Sequence, residues 1–169
     1  MLSIGKLAAG QAKYYLEQAH GRVDAIQSVA GGIEEYYTGP GEARGMWLGR
    51  GADELGLLGK VNESELRPLL EGLHPRTGEP LRTSNSPVRV AGFDLTFSAP
   101  KSVSILFALG DTEAVRGAHD RAVREAFGYL ERSAASVRRG QGGATVIQAD
   151  GFAAAAFRHR TSRAGDPLT

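Results

Sequence analysis

Glycine is the feature of this sequence that most limits what the chain can fold into. It occupies 23 of the 169 positions, about 14% and roughly twice its usual share. Many of the glycines stand in short clusters that are typical of turns. Because glycine costs more backbone entropy than other residues in a regular element, we expect short helices and strands with frequent interruptions. The length fits one domain of ordinary size, so we expect a single domain over residues 1–169.

Composition excludes several classes of protein. Hydrophobic residues make up 41% and charged residues 23%, which is typical of a globular chain and not of a disordered or membrane-embedded one. The absence of cysteine excludes disulfides, a thiolate nucleophile and cysteine-ligated zinc. Since the N-terminus lacks an apolar signal segment and no apolar run approaches about 18 residues, we expect a cytoplasmic protein without membrane contact.

Charge is distributed unevenly along the chain. The formal net charge is +1, which is not the global signature of a nonspecific nucleic-acid binder. Residues 1–85 have a net charge of −2 and residues 86–169 a net charge of +3. Within residues 158–163 the chain reads RHRTSR, with three arginines and no acid. Nucleic-acid binding would therefore be local, although a solvated charged strand end is an equally good interpretation of this run.

In the first half, hydrophobic spacing predicts a helix from Ala8 to His20, with Leu7 and Leu16 on its apolar stripe. Residues 21–45 are polar and rich in glycine, which predicts a mobile loop with at most a short helix. We expect a short buried strand at residues 46–48 and an amphipathic helix from Glu63 to Leu73, followed by a turn-rich link.

In the second half, residues 93–98 alternate between apolar and polar side chains, which predicts a strand with Asp94 on its polar face. Pro100 suits the start of a helix over residues 102–109. A long helix follows Asp111 and continues to Arg138, with a core stripe listed as Val115, Ala118, Ala122, Val123, Ala126, Leu130, Ala134 and Val137. Residues 145–148 and 152–159 are predicted to form a hairpin around an Asp-Gly turn at 150–151, although residues 153–156 could also be helical.

Three features could serve one reaction. Tyr14 and Tyr15 are adjacent on the first predicted helix, where side chains point about 100° apart, so one of them faces a site or solvent. Asp94 lies on a strand and His159 on the last predicted strand. Each residue taken alone has a structural explanation: tyrosines pack in cores, strand acids face solvent, and histidines form structural hydrogen bonds.

One long motif favours the functional explanation of these residues over the structural one. Residues 92–104 read GFDLTFSAPKSVS, which closely resembles the core motif of the TrwC/TraI-type (MobF) conjugative relaxases. Other matching segments follow the order of that family: the pairs Tyr14-Tyr15 and Tyr36-Tyr37, GMWLGRG at 45–51, ELGL at 54–57, and FRHRTSR at 157–163 followed by Asp166-Pro167. The resemblance covers nearly the whole chain.

The resemblance implies a DNA strand transferase. A tyrosine phenolate of such an enzyme attacks a phosphodiester at a plasmid origin of transfer and forms a 5′-phosphotyrosyl intermediate. On this basis Tyr14 is the expected nucleophile for the first cleavage and Tyr36 for a second strand transfer, with Tyr15 and Tyr37 as substitutes. Asp94 would accept the phenol proton or orient a ligand histidine.

The resemblance also implies a cofactor and partners. His159 matches the first of three histidine ligands to a divalent cation, for which Mg²⁺ or Mn²⁺ is expected. The other two ligands form a His-x-His motif just past Asp166-Pro167, a position that the chain does not reach, so we expect the site to be incomplete here. The expected partners are single-stranded DNA at the origin of transfer and relaxosome accessory proteins. The residues expected to bind DNA are Lys101, Arg158, Arg160 and Arg163.

The fold implied by the resemblance is α+β, an antiparallel sheet packed with helices in the two-layer relaxase architecture, C-terminally incomplete. The alternative function is a truncated, catalytically inactive module that binds single-stranded DNA through the basic run and aromatic stacking. No phosphate-binding loop of the GxxxxGK[ST] type is present, so no helicase activity is expected.

Overall fold

The computed structural model describes residues 1–8, 16, 43–81, 90–109, 112–140, 142 and 144–158. In these parts of the chain there are six strands: β1 (Leu2–Ala8), β2 (Ala43–Leu48), β3 (Val90–Phe97), β4 (Ser136–Arg139), β5 (Thr145–Gln148) and β6 (Ala154–Arg158). There are four helices: α1 (Arg50–Glu54), α2 (Glu63–Glu71), α3 (Lys101–Leu109) and α4 (Thr112–Ala134). Among the described residues, no helix is both long and apolar enough to cross a membrane.

The strands pair in three antiparallel ladders, β1 with β3, β2 with β6 and β4 with β5. The α+β class with antiparallel strands, expected from the sequence, is thereby confirmed. Short elements also agree with the high glycine content, since α4 is the only element delimited within the described residues that exceeds nine residues.

The main core lies between the β2–β6 pair and the helices α1 and α2. Its buried residues are Leu16, Trp47, Ala52, Leu57, Val61 and Leu66. The indole Nε1 of Trp47 donates a hydrogen bond to Oε2 of Glu65 at 3.1 Å, which ties β2 to α2. Leu16 is helical and buried, as the first predicted helix requires at that position, while the rest of that prediction beyond Ala8 lies outside the described residues. The predicted loop over residues 21–45 also lies outside them, except that β2 begins at Ala43.

The predicted start of the first helix is wrong. Leu7 and Ala8 belong to β1, where Leu7 pairs with Gly92 and Ala8 with Val90. The strand forms because β3, more than eighty residues away in the sequence, offers a ladder to residues whose spacing alone does not indicate a strand.

The predicted strand at residues 46–48 and the predicted helix from Glu63 are confirmed with changed limits. β2 begins earlier, and of the three residues at 46–48 only Trp47 is buried. α2 ends at Glu71 rather than at Leu73, because Gly72 adopts the left-handed conformation with φ 78°. The amide of Gly72 then donates to the carbonyl of Leu69, and the amide of Leu73 donates to the carbonyl of Pro68.

The long helix α4 ends at Ala134 and does not reach Arg138. Val137, predicted on its core stripe, lies on β4 opposite Ile147. Cross-strand pairing of β-branched residues there replaces a helical continuation for which the sequence contains no stop signal. The buried side of α4 also differs from the predicted stripe, because Ala118, Ala122 and Ala134 are exposed while Glu131 is buried.

The predicted hairpin around residues 150–151 is wrong as well. β5 pairs with β4, and β6 pairs with β2, so the two segments are not partners. A type I′ turn needs positive φ at both central residues, and Gly151 is not in that region. Instead Gly151 packs against α1, where a Cβ would lie 2.8 Å from Cβ of Arg50. The helical alternative for residues 153–156 is also excluded, since residues 154–158 are the strand β6.

Candidate active site

Asp94 lies in the middle of β3, directly opposite Gly5 of β1. Side chains of directly opposed residues share one face of an antiparallel pair, so glycine at position 5 leaves open space beside the Asp94 side chain. A Cβ added at Gly5 would come within 3.9 Å of the Asp94 Cβ. Gly92, two residues earlier on the same face, adds no side chain either. The glycines therefore keep the half-buried Asp94 approachable from this face.

The Asp94 carboxylate has no hydrogen bond or ion pair with any residue that the structure describes. Asp94 is therefore a candidate for a group that accepts a proton or a ligand. The alternation of β3 predicted from the sequence is confirmed, since Phe93, Leu95 and Phe97 share the opposite face, although Phe93 remains 60% exposed.

The helix α3 begins immediately after the motif strand. Pro100 stands just before Lys101, and its carbonyl accepts hydrogen bonds from the amides of Val103 and Ser104 at 2.9 and 3.2 Å. The predicted helix start is confirmed. Ser104 is buried and its hydroxyl lies 3.5 Å from the same carbonyl. Lys101, expected to bind DNA, is exposed at the first position of α3.

The end of β6 is fixed by two contacts. The ring of Phe157 lies over Gly45 of β2, so closely that a Cβ at position 45 would fall 2.5 Å from the ring atom Cε1. Arg158, expected to bind DNA, donates through its Nη2 to Oδ2 of Asp120 on α4 at 2.5 Å. Both side chains are partly buried, with relative exposures of 34% and 25%. The Arg158 guanidinium therefore holds β6 against α4.

The beginning of the β6 segment is fixed by Glu131 of α4. Its Oε1 accepts hydrogen bonds from the backbone amides of Arg50 at 2.8 Å and Phe152 at 2.9 Å. Its Oε2 lies 3.7 Å from the Arg50 Nε. Gly49, with φ 97°, permits this close approach, since a Cβ there would fall 2.2 Å from the Phe152 carbonyl oxygen. One buried carboxylate thus joins α1, α4 and the segment leading into β6.

The structure places only some of the predicted site residues. Asp94 lies on the β1–β3 pair and Arg158 on the β2–β6 pair, and no hydrogen bond or ion pair joins them. Seven other predicted residues lie outside the described part of the chain: Tyr14, Tyr15, Tyr36, Tyr37, His159, Arg160 and Arg163. Their roles stay predictions, as do those of Asp94, Lys101 and Arg158.

A metal centre does not form among the described residues alone, because none of their carboxylates and histidines cluster in groups of three. His74 uses its Nδ1 to accept the amides of Arg76 and Thr77 in a turn. His119 lies within α4. These donor sets do not fit a three-histidine centre.

Sequence reasoning missed Glu131, Asp120 and Gly45. For Glu131 there was a signal: Val123, Phe127 and Glu131 follow one another at intervals of four, which places an acid on the same helix face as two apolar residues. The Phe127 and Phe152 rings meet edge to face there, with centroids 6.0 Å apart. Residue spacing could not predict the other two contacts, because each joins segments that are distant in the sequence. These contacts are Asp120 with Arg158 and Gly45 with Phe157.

Comparison with known proteins identifies the class of this α+β chain. The family model for TrwC relaxase matches residues 8–169. The chain is 36% identical over 145 residues to the multifunctional conjugation protein TraI of Escherichia coli strain K12, which covers 82% of this chain and 8% of TraI. The chain therefore belongs to the TrwC relaxase family.

Solved structures agree with this assignment. The conjugative relaxase TrwC in complex with oriT DNA superposes with a TM-score of 0.73 at 31% identity, covering 99% of this chain and 54% of that one. A TrwC complex with a 27-mer DNA comprising the recognition hairpin and the cleavage site gives a TM-score of 0.70 at 31% identity, covering 99% of this chain and 52% of that one. A metal-bound TrwC complex also matches, with a TM-score of 0.67, 32% identity and coverage of 99% and 54%. The chain thus spans about half the length of these TrwC chains and a small part of TraI.

Proposed function

We propose that this chain is the N-terminal part of a relaxase domain that cuts and rejoins one DNA strand at an origin of transfer. The observation that carries the proposal is Asp94: it lies in the GFDLTFSAPKSVS motif, half-buried, opposite Gly5, and without a partner among the described residues. Membership of the TrwC relaxase family supplies the class of reaction.

The proposed chemistry is a transesterification. The phenol oxygen of Tyr14 attacks the scissile phosphorus, a P–O bond to tyrosine forms, and the bond from phosphorus to the 3′ oxygen breaks. Since a phenol has a pKa near 10, its proton must pass to an acceptor, for which we propose the Asp94 carboxylate. The departing 3′ oxygen takes up a proton and becomes a free hydroxyl. Tyr36 would perform the second transfer, and Tyr15 and Tyr37 are the substitutes.

The proposal includes a divalent cation, Mg²⁺ or Mn²⁺, with His159 as one ligand. Such a cation, when bound, would neutralise charge on the scissile phosphate. A relative has been solved in a metal-bound form, which supports a metal in the family. Asp94 would accept the phenol proton or orient the ligand histidine beside this cation.

The remaining parts of the proposal concern partners and place of action. Single-stranded DNA at an origin of transfer is the proposed substrate, bound with help from Lys101, Arg158, Arg160 and Arg163. Solved relatives were complexed with oriT DNA, which supports this choice. We also propose relaxosome accessory proteins as partners and the cytoplasm as the place of action.

The test is covalent capture of DNA. The chain is incubated with a radiolabelled 27-nucleotide strand of the kind used with TrwC, and in parallel with a randomised single-stranded library, at several Mg²⁺ and Mn²⁺ concentrations. We expect an adduct that survives denaturing electrophoresis, is lost in Tyr14→Phe, and is strongly reduced in Asp94→Asn. Gly5→Val, which fills the space opposite Asp94, should also reduce the adduct.

The controls separate chemistry from folding and from binding. Asp94→Asn should retain the wild-type melting temperature, and Glu125→Ala, which changes an exposed acid on α4, should retain both the adduct and the melting temperature. Absence of an adduct under every condition would refute the enzymatic proposal. Salt-sensitive DNA binding without an adduct would instead support the alternative, an inactive module that binds single-stranded DNA.

A further inference from the structure

The outer face of α4 is exposed to solvent along most of the helix. The other side of α4 packs inward, where Asp120 holds Arg158 of β6 and Glu131 holds the segment that leads into β6. On the outer face Tyr129 is 63% exposed. Because a tyrosine ring is mostly apolar and tyrosine is enriched at protein interfaces, a 23-residue helix that presents one to solvent has a surface that suits a partner.

Six residues of this outer face follow one another at intervals of four and three, which is the spacing of a coiled-coil seam. They are Ala114, Ala118, Arg121, Glu125, Gly128 and Arg132. All are exposed except Gly128, which is partly exposed. The spacing keeps them in one line along about 27 Å of helix. We define the α4 seam as these six residues together with Tyr129.

The α4 seam contains charges of both signs that are not paired. Arg121 and Glu125 lie four residues apart, in the less favourable order for a pair within one helix, and they do not form an ion pair with each other. In the part of the chain that the structure describes, neither of them nor Arg132 has another ion-pair partner. The Arg121 guanidinium lies back over Gly117 instead, where an added Cβ would be 3.5 Å from its Nη1. The Arg132 guanidinium lies over Gly128 in the same way, at 3.3 Å.

A second copy of α4 satisfies these charges in one antiparallel register. With a two-fold axis at Val123, Arg121 of each copy lies opposite Glu125 of the other. Ala118 then lies opposite Gly128, and two small residues at this point let the helices approach closely. A parallel pair would place Arg121 beside Arg121 and Glu125 beside Glu125, so the order of charges selects the antiparallel arrangement.

The same register gives the remaining seam residues a partner. Tyr129 lies opposite Gly117 of the second copy, where the Arg121 guanidinium would meet the tyrosine ring as a cation on an aromatic face. Arg132 lies opposite Ala114, beside the Glu113 carboxylate, whose side chain is 77% exposed. Each contact occurs twice, because a two-fold interface uses the same surface on both copies.

We propose that two copies of this chain associate through the α4 seam as an antiparallel, two-fold symmetric helix pair. The partner is a second copy because the seam is complementary in charge and in size to itself. Since a single helix pair is smaller than a standard protein interface, the dimer is weak and forms at high local concentration. The inference goes beyond the proposed DNA function and does not depend on it.

The test is sedimentation velocity of the 169-residue chain over about 5 to 500 µM at low salt, a range that suits a small interface. We expect a dimer whose population rises with concentration. Arg121→Glu and Glu125→Arg each place like charges opposite one another twice, so each should raise the dimer dissociation constant by about tenfold or more. The double variant Arg121→Glu/Glu125→Arg restores opposite charges and should return to within about threefold of the wild type.

The matched controls are Lys60→Glu and Glu71→Arg, which make the same charge reversals at exposed positions away from α4 and should leave the dissociation constant unchanged. Circular dichroism establishes that every variant keeps the wild-type helix content. A chain that stays monomeric at every concentration would overturn the proposal, and this is also the result expected if the seam serves a different protein. A double variant that dimerises no better than the single variants would overturn it as well.

Disulfide formation tests the register without changing any charge. Because the chain has no cysteine, Ala118→Cys and Gly128→Cys each introduce one thiol. These thiols lie opposite each other in a mixed dimer, whereas two copies of the same variant hold theirs about 15 Å apart along the helix, beyond the reach of a disulfide. We expect a disulfide in the mixture and little in either variant alone.

Equal disulfide yields in all three samples, or none in the mixture, would contradict the proposed register. Neither measurement uses DNA or the Tyr14 adduct. A chain that dimerises through the seam but forms no adduct would therefore refute the proposed enzyme and leave the interface standing, and the reverse result would do the opposite.

Discussion

Removal of the Glu131 side chain should destabilise this domain more than any exposed charge change. The side chain of Glu131 is only 10% exposed, and its Oε1 accepts two backbone amides at 2.8 and 2.9 Å. Hydrogen bonds to a charged group contribute about 1.5–3 kcal/mol each. The ion pair with Arg50 adds little, since the Arg50 side chain is 60% exposed and such pairs contribute about 0–1 kcal/mol. We therefore expect Glu131→Ala to lower the free energy of unfolding by about 3–5 kcal/mol.

The substitution Glu131→Gln separates acceptor geometry from charge. Glutamine keeps a carbonyl oxygen for the two amides and loses only the charge, so we expect a loss of about 1–2 kcal/mol. Urea unfolding followed by circular dichroism measures both variants. For a domain of this size each kcal/mol corresponds to about 2–4 °C in melting temperature, which gives a second readout. Glu125→Ala, an exposed acid on the same helix, should stay within about 0.5 kcal/mol of the wild type.

Two results would refute this reasoning. If the free energy of unfolding of Glu131→Ala stays within about 0.5 kcal/mol of the wild type, then water replaces the carboxylate, and the Glu131 hydrogen bonds are not required for stability. If Glu131→Gln costs as much as Glu131→Ala, then the charge rather than the hydrogen-bond geometry stabilises the junction.

Two further predictions concern the end of β6. Gly45→Ala should cost about 1–3 kcal/mol through overpacking, because its Cβ would fall 2.5 Å from the Phe157 ring. Urea unfolding measures this loss, and Phe157→Leu in the same chain should recover part of it, whereas an additive double variant would show that the two residues do not contact. Asp120→Asn should cost about 1 kcal/mol, since it weakens a partly buried, charge-assisted hydrogen bond to Arg158. Asp120→Asn and Arg158→Gln in combination should cost less than the sum of the single changes, and strict additivity would contradict a direct pair.

The sequence predicted those helices and strands that are indicated by residues within the segment itself. The alternation around Asp94 and the proline at position 100 indicate β3 and the start of α3, and both are confirmed. The apolar spacing after Glu63 indicates α2 in the same way. Each of these segments carries a local signal for its secondary structure, although burial does not follow that signal residue by residue, since Phe93 on β3 is 60% exposed and Leu106 on α3 is 56% exposed.

Elements set by distant partners could not be predicted from spacing. Strand β1 exists because it pairs with β3, and β6 turns away from β5 because it pairs with β2. The Asp-Gly pair at 150–151 is a strong hairpin signal, yet no hairpin forms there. Instead Glu131 accepts the backbone amides of Arg50 and Phe152 and holds this segment against α1 and α4. A buried acid that accepts backbone amides changes the chain path in a way that hydrophobic periodicity does not report.

The proposed proton acceptor lies on one strand pair, and the residues that support β6 hold a different one. Asp94 lies on the β1–β3 pair and is open to a partner, whereas the segment that leads to His159 is held at its start by Glu131 and at its end by Gly45 and Asp120. If Asp94 accepts the phenol proton as we propose, Asp94→Asn should strongly reduce adduct formation without changing stability. A defect in the three supporting residues should lower stability and adduct formation together. That difference allows each residue to be assigned to one of the two roles by measuring both quantities on the same variant.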